Sequence, residues 1–233
     1  MSAILRSEIL KVLTVRTFLW IAVANAAFVL LGALAVVLSA GSLESAEDDR
    51  SAAQLAAVSV LLALVGGILV MAGEATHGTI TQTLLVTPVR ERVLLAKAAV
   101  AAALGVALAA IAELLILAIV SGLNVHNARL VLLGILIAAP LSGALGVGLG
   151  AIFQGQGAAI AVSLIWLLVG ESFASLLRDD TEKFTPGRSF GSLASGLESQ
   201  AGMLGMTAGG VAAAVWTVVF LAAGVLVLKG RDV

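Results

Sequence analysis

Glu113 and Glu171 are the only carboxylates inside the long apolar stretches of this chain, and their placement is what first invites a chemical reading. A charge deep in an apolar run is expensive, so each should face a bundle interior or a wet cavity, or carry a proton. Two readings stand side by side: the pair lines a path for cargo, or each hydrogen-bonds a neighbouring helix. No lysine or arginine falls deep enough in the same stretches to pair with them. The two histidines, His77 and His126, fall in connections on opposite sides of the topology derived below, so they cannot share a metal or a catalytic triad. His77 reads as a polar residue at the base of a span rather than as a proton switch. With no cysteine, the chain has no disulfide, thiolate metal site or cysteine nucleophile. No G-x-x-x-x-G-K-[ST] occurs, so no phosphate-binding loop of that type is present and the chain is not expected to be an enzyme that hydrolyses nucleotide. Gly146, Gly148 and Gly150 are spaced like a glycine fingerprint, but they lie in an apolar run and precede no lysine.

The elements that hold these residues are set by composition. Of 233 residues 61% are apolar and 12% charged, with a mean hydropathy of +1.14. Soluble domains average about 45–50% and about 25%. The expected fold class is therefore an all-α polytopic membrane protein. A net charge of −1 leaves no basic field for nucleic acid, which is not expected as a partner. Crossing about 30 Å of hydrocarbon takes roughly 20 apolar residues. Six windows qualify, at 18–40, 52–72, 98–120, 130–150, 158–177 and 207–228. Arg6, Glu8, Lys11 and Arg16 interrupt the stretch before the first window, so that run is expected to stay in the bilayer as an anchor and not to be cleaved.

An even number of spans puts both termini on one side. Eight of the 13 lysines and arginines lie in the termini and the second connection: Arg6, Lys11, Arg16, Arg90, Arg92, Lys97, Lys229 and Arg231. The other connections hold Arg50, Arg129, Arg178, Lys183 and Arg188 among eight acidic residues. Positive flanks are retained in the cytoplasm, so the expected localisation is the plasma (inner) membrane with both termini cytoplasmic.

Three further segments carry punctuation. Residues 2–16 place Ser7, Lys11 and Thr14 on one side of a helix and Leu5, Ile9, Val12 and Leu13 on the other, which suits an interfacial helix, although Arg6 and Arg16 fall off the polar side. In the cytoplasmic segment 74–97, Thr79 and Gln82 have capping-box spacing ahead of a short helix, and Thr87 caps a second start with Pro88 at its first position. Residues 184–205 are rich in Gly and Ser with scattered apolar side chains, and suit either a re-entrant hairpin or an exposed external loop. Pro140, Gly143, Gly146, Gly148 and Gly150 in the fourth window suit close helix packing.

The run from Gly73 through Glu74, Gly78, Thr79, the leucines Leu84 and Leu85, Pro88 and Arg90, closed by Lys97, resembles the cytoplasmic signature of ABC-2 type transporter permeases. Glu8, Lys11 and Arg16 before the first span, and the final Lys229-Gly230-Arg231, are similar to the ends of such permeases. The resemblance implies the permease subunit of an ATP-binding cassette exporter for a hydrophobic or amphipathic cargo. It would be paired with a second copy of itself or a related permease and with ABC ATPase subunits, which would hold the ATP and Mg that this chain does not bind as cofactors. It implies that the helix after Gly78 is a coupling helix, with Glu74, Gly78, Thr79, Ile80, Leu84, Pro88, Arg90 and Arg92 forming the ATPase-facing segment. It also implies an elbow before Arg16 and an external re-entrant hairpin before the last span. Glu113 and Glu171 are the pathway candidates. An ion- or proton-coupled carrier is the runner-up, but it predicts internal repeats and midplane ionisable pairs that the sequence does not show. A non-transporting membrane anchor of a complex is the third reading.

Overall fold

In lipid every backbone amide and carbonyl must be bonded within the protein, and a long apolar run meets that demand as a helix. The computed structural model, which describes residues 2–39, 45–76, 89–153, 155–173, 182–197 and 203–230, has six helical stretches long and apolar enough to cross a membrane, and no strand among the described residues. The chain has the architecture of a multi-pass helical membrane protein.

A first helix, α1 (Ser2–Thr14), precedes the first span, α2 (Arg16–Ser39). The second span runs through α3 (Ala46–Gln54), a tight turn at Leu55–Ala57, and α4 (Val58–Thr76). The third is α5 (Arg90–Ile119) and the fourth α6 (Val125–Phe153), with Pro140 inside an otherwise continuous helix. The fifth is α7 (Gln156–Ile165), which loosens into a π turn at Trp166–Gly170 and ends at Phe173. A short helix, α8 (Pro186–Ser195), then leads to the last span, α9 (Met206–Lys229).

The fourth span is the hub. In its most apolar stretch 61% of residues are buried, against 56% for the second span and 17–28% for the other four, whose flanks look outward. The glycines of α6 allow this close fit. A Cβ on Gly143 would meet the Ala101 carbonyl of α5, one on Gly146 the Leu64 carbonyl of α4, and one on Gly148 the Phe220 backbone of α9. From the other side, a Cβ on Gly67 of α4 would fall 1.9 Å from the Gly143 carbonyl oxygen, a separation no side chain tolerates.

Several boundaries differ from the sequence reading. The expected loop at Glu47, Asp48 and Asp49 is helix. Ser45 accepts from the Asp48 amide at 3.1 Å while the Asp48 carboxylate accepts from the Ser45 amide at 3.0 Å, a capping box that starts α3 well before residue 52. The third span begins at Arg90 with Val89 in the cap position. Thr87 and Pro88, expected to start it, lie outside the described residues, as do Gly78, Thr79, Ile80 and Leu84 of the expected coupling helix.

Candidate functional site

One end of the bundle gathers both chain termini, and there four ionisable side chains meet. Call it the terminal face, and the opposite end the far face. α1 runs against the start of α5, bringing Glu8 and Lys11 over the end of α4, where Glu74 sits, and the second turn of α5, where Lys97 sits. Lys97 lies 2.8 Å from Glu8 and 2.8 Å from Glu74, and its ammonium also donates to the Val70 carbonyl at 3.3 Å. Lys11 bonds Glu8 at 2.6 Å and Glu74 at 2.5 Å. Two acids and two bases make a neutral quartet. Lys97 is 0% exposed and Glu8 2%, burial that such charges accept only when paired. Burial opposes the charge on Lys11, but its hydrogen bonds to Glu74 and Glu8, with their charges, outweigh that, and its pKa stands above the usual lysine value.

The quartet adds to the reading of α1. The side expected to be polar carries Lys11, whose ammonium reaches Glu8 and Glu74, while Ser7 and Thr14 turn their hydroxyls back onto the carbonyls of Ile4 and Leu10. Of the expected apolar side, Val12 packs on the core, whereas Ile9 is 46% and Leu13 76% exposed. Glu8 is the buried member of the helix, and periodicity of apolar residues alone does not find it. The available signal was the count of charges: Glu8, Glu74 and Lys97 border apolar runs where an unpaired charge could not stay.

A second cluster at the same face ties the chain's end down. Arg90 donates to the carbonyls of Leu228 and, at 3.3 Å, Lys229, capping the last turn of α9 with positive charge where the helix dipole is negative. Lys229 pairs with Glu91. Arg90, expected to face a partner, is therefore engaged with this chain's own last helix. Arg92 is exposed. Among the described residues expected to face the ATPase, Glu74 belongs to the quartet.

The two intramembrane carboxylates are not equivalent. Glu171, at the end of the fifth span, caps α8. Its carboxylate accepts from the Gly187 amide, with the backbone N–H and the charge of Arg188 beside it. Arg188, 17 positions further along and outside the spans, is folded back beside it by α8. That helix is packed, not an exposed loop. Ser189, Phe190, Ser192 and Leu193 are buried against α6 and α9, and the helix ends at Gly196 in the left-handed region (φ 64°). Glu113 has no such partner. It is half-buried in α5, with Oε1 shielded from water and no hydrogen bond to it.

At the far face Asp49 knits the second span to the third connection. It accepts from the Asn124 amide at 2.9 Å and the Asn127 side chain at 2.8 Å, and is 4% exposed.

No protein-family model matches this chain, and no curated protein matches it significantly.

Proposed function

We propose that this chain is the permease subunit of an ATP-driven exporter, working beside a second permease and two separate ATPase subunits. In this reading the terminal face is cytoplasmic, as the excess of lysine and arginine there suggests, and α1 is the interfacial elbow. The coupling helix expected after Gly78 lies outside the described residues, and α8 belongs to the external re-entrant segment. The observation that carries the reading is the quartet. It joins the elbow, the end of the second span and the start of the third through Glu8, Lys11, Glu74 and Lys97. The segment expected to dock on an ATPase is strung between Glu74 and Lys97, two members of that unit. A push on the segment would move α4 and α5 together with α1, not one loop alone.

The remaining features are read in the same frame. The outward apolar flanks of the first, fifth and sixth spans suit lipid and a second permease. Glu113, with an oxygen that no described residue satisfies, is the stronger pathway candidate. Glu171 is occupied in holding α8.

The test is a substitution in the expected docking helix. Ile80 and Leu84 are four residues apart and would share a helical face. Burying one leucine contributes about 1.5 to 3 kcal/mol, so Leu84→Asp should weaken docking tenfold or more. Insertion into the membrane should be normal, while association with the ATPase and transport both fall. Wild-type association and transport in L84D would remove the segment from the account.

A further inference from the structure

We infer that the chain binds a single-chain amphiphile with a zwitterionic amine-phosphate headgroup, its head at the far face between Glu47 and Arg50 and its tail in a groove between the second and fifth spans. Three adjoining cavities make this shape. The first, of about 660 Å³, is the most polar of the three and opens at the far face, where Glu47, Arg50, Ser51 and Gln54 line it. It shares Ala57, Gly191 and Ala194 with a second of about 220 Å³. The second shares Leu64, Leu145, Leu167 and Pro186 with a third of about 300 Å³, which runs on to Phe153, Trp166, Trp216 and Phe220.

The headgroup follows from which charges are left over. Glu47, Asp48, Asp49 and Arg50 are consecutive at the start of α3. Asp48 is spent on the capping box and Asp49 on Asn124 and Asn127. Glu47 and Arg50 are exposed, line the vestibule together and form no ion pair with each other or with any described residue. One acid and one base a single helical turn apart complement a cation and an anion on the same small group. A guanidinium suits phosphate, and a carboxylate suits an ammonium.

The tail follows from size and lining. Beyond Ala57 the polar groups thin out, and Ser142 turns its hydroxyl to the Val60 carbonyl at 2.8 Å. Ser163 likewise bonds the Ala159 carbonyl. The two apolar cavities, of about 220 and 300 Å³, are continuous and large enough to take an acyl chain. A single continuous path suits one acyl chain. From Ser142 to Phe153 the groove follows α6 for about 16 Å at 1.5 Å per residue, a length that suits an extended chain.

Whether such a molecule is the cargo rests on the permease reading, but its binding does not. The experiment therefore uses the purified chain alone in lipid nanodiscs, with lysophosphatidylethanolamine carrying a photoreactive group on its tail, and maps adducts by peptide mass spectrometry. Labels should concentrate on the peptides bearing Leu145 to Phe153 and Val162 to Leu167. Unlabelled lysophosphatidylethanolamine should compete at least fivefold better than lysophosphatidylglycerol. Arg50→Gln and Glu47→Gln, both on an exposed helix face, should each lower labelling threefold or more, and Leu167→Trp should block the groove and do the same. Labelling spread over exposed Leu19, Leu38 and Val211, or competition indifferent to the headgroup, would overturn the inference. Groove labelling in a chain that never joins an ATPase would keep the site and remove the transport role. Scattered labelling in a chain that does join one would remove only the site.

Discussion

Lys97 and Glu8 stand 89 positions apart in the chain and 2.8 Å apart in the structure, neither of them more than 2% exposed. Removing one partner of a buried pair leaves the other charge uncompensated, at a cost of roughly 3 to 5 kcal/mol. Lys97→Met should therefore lower the thermal unfolding midpoint in detergent sharply. Lys97→Met leaves Glu8 and Glu74 to share Lys11, so adding Glu8→Gln restores one acid to one base and should recover part of the loss. A double variant as unstable as the sum of the two single ones would mean that the residues are not coupled.

The pH behaviour of the elbow follows from Lys11. A lysine whose pKa is raised on folding contributes its full stabilisation below its ordinary titration range and loses it as pH rises through the raised folded value. The contact of α1 with α4 should thus be insensitive to pH from neutrality to the edge of the lysine range and loosen only above it. Proteolysis within α1, followed against pH, reads this directly. Loosening near pH 7 would point to a different group.

At the far face, the Glu171 carboxylate caps a buried helix start. Exchange for alanine removes the acceptor, and lost caps cost about 0.5 to 2 kcal/mol. Glu171→Ala should increase hydrogen exchange at Gly187 and Arg188 while the amides of α4 and α6 stay protected. Unchanged exchange at Gly187 would show that the cap does not hold α8.

Close approach of α4 and α6 gives a packing prediction. Gly67→Ala puts a methyl group on the Gly143 carbonyl, and such overpacking costs about 1 to 3 kcal/mol. The neighbouring Gly66 meets only the flexible end of Leu104, so Gly66→Ala should cost less. Equal effects in thermal unfolding would contradict the crossing described here.

The six spans were legible because hydrocarbon leaves a long apolar run little choice but a helix, and the α6 glycines were legible as a packing face because small residues at membrane crossings have one common use. The quartet was not, since it unites positions 8, 11, 74 and 97, and no local pattern states which distant charges will meet. The sequence did flag Glu74 and Lys97, through the resemblance, but as a docking segment and the opening of a span. Arg188 was missed as a neighbour of Glu171 because α8 folds back over the end of the fifth span. The turn of α3 at Ser45 was hidden by its acidic residues, which read as loop although Asp48 completes a capping box. Glu47 and Arg50 became visible as a pair only after Asp48 and Asp49 found their partners.

As the proposed permease, this chain moves cargo only in company with a nucleotide-hydrolysing subunit. The most direct measurement is the mass and ATPase activity of the complex that forms around a tagged chain extracted gently from its own membrane, compared with the L84D variant. An assembly of two permeases and two ATPases that hydrolyses ATP is expected, and its loss in the variant. A chain that carries cargo in reconstituted vesicles as an isolated species, with no ATP-hydrolysing partner, would contradict it.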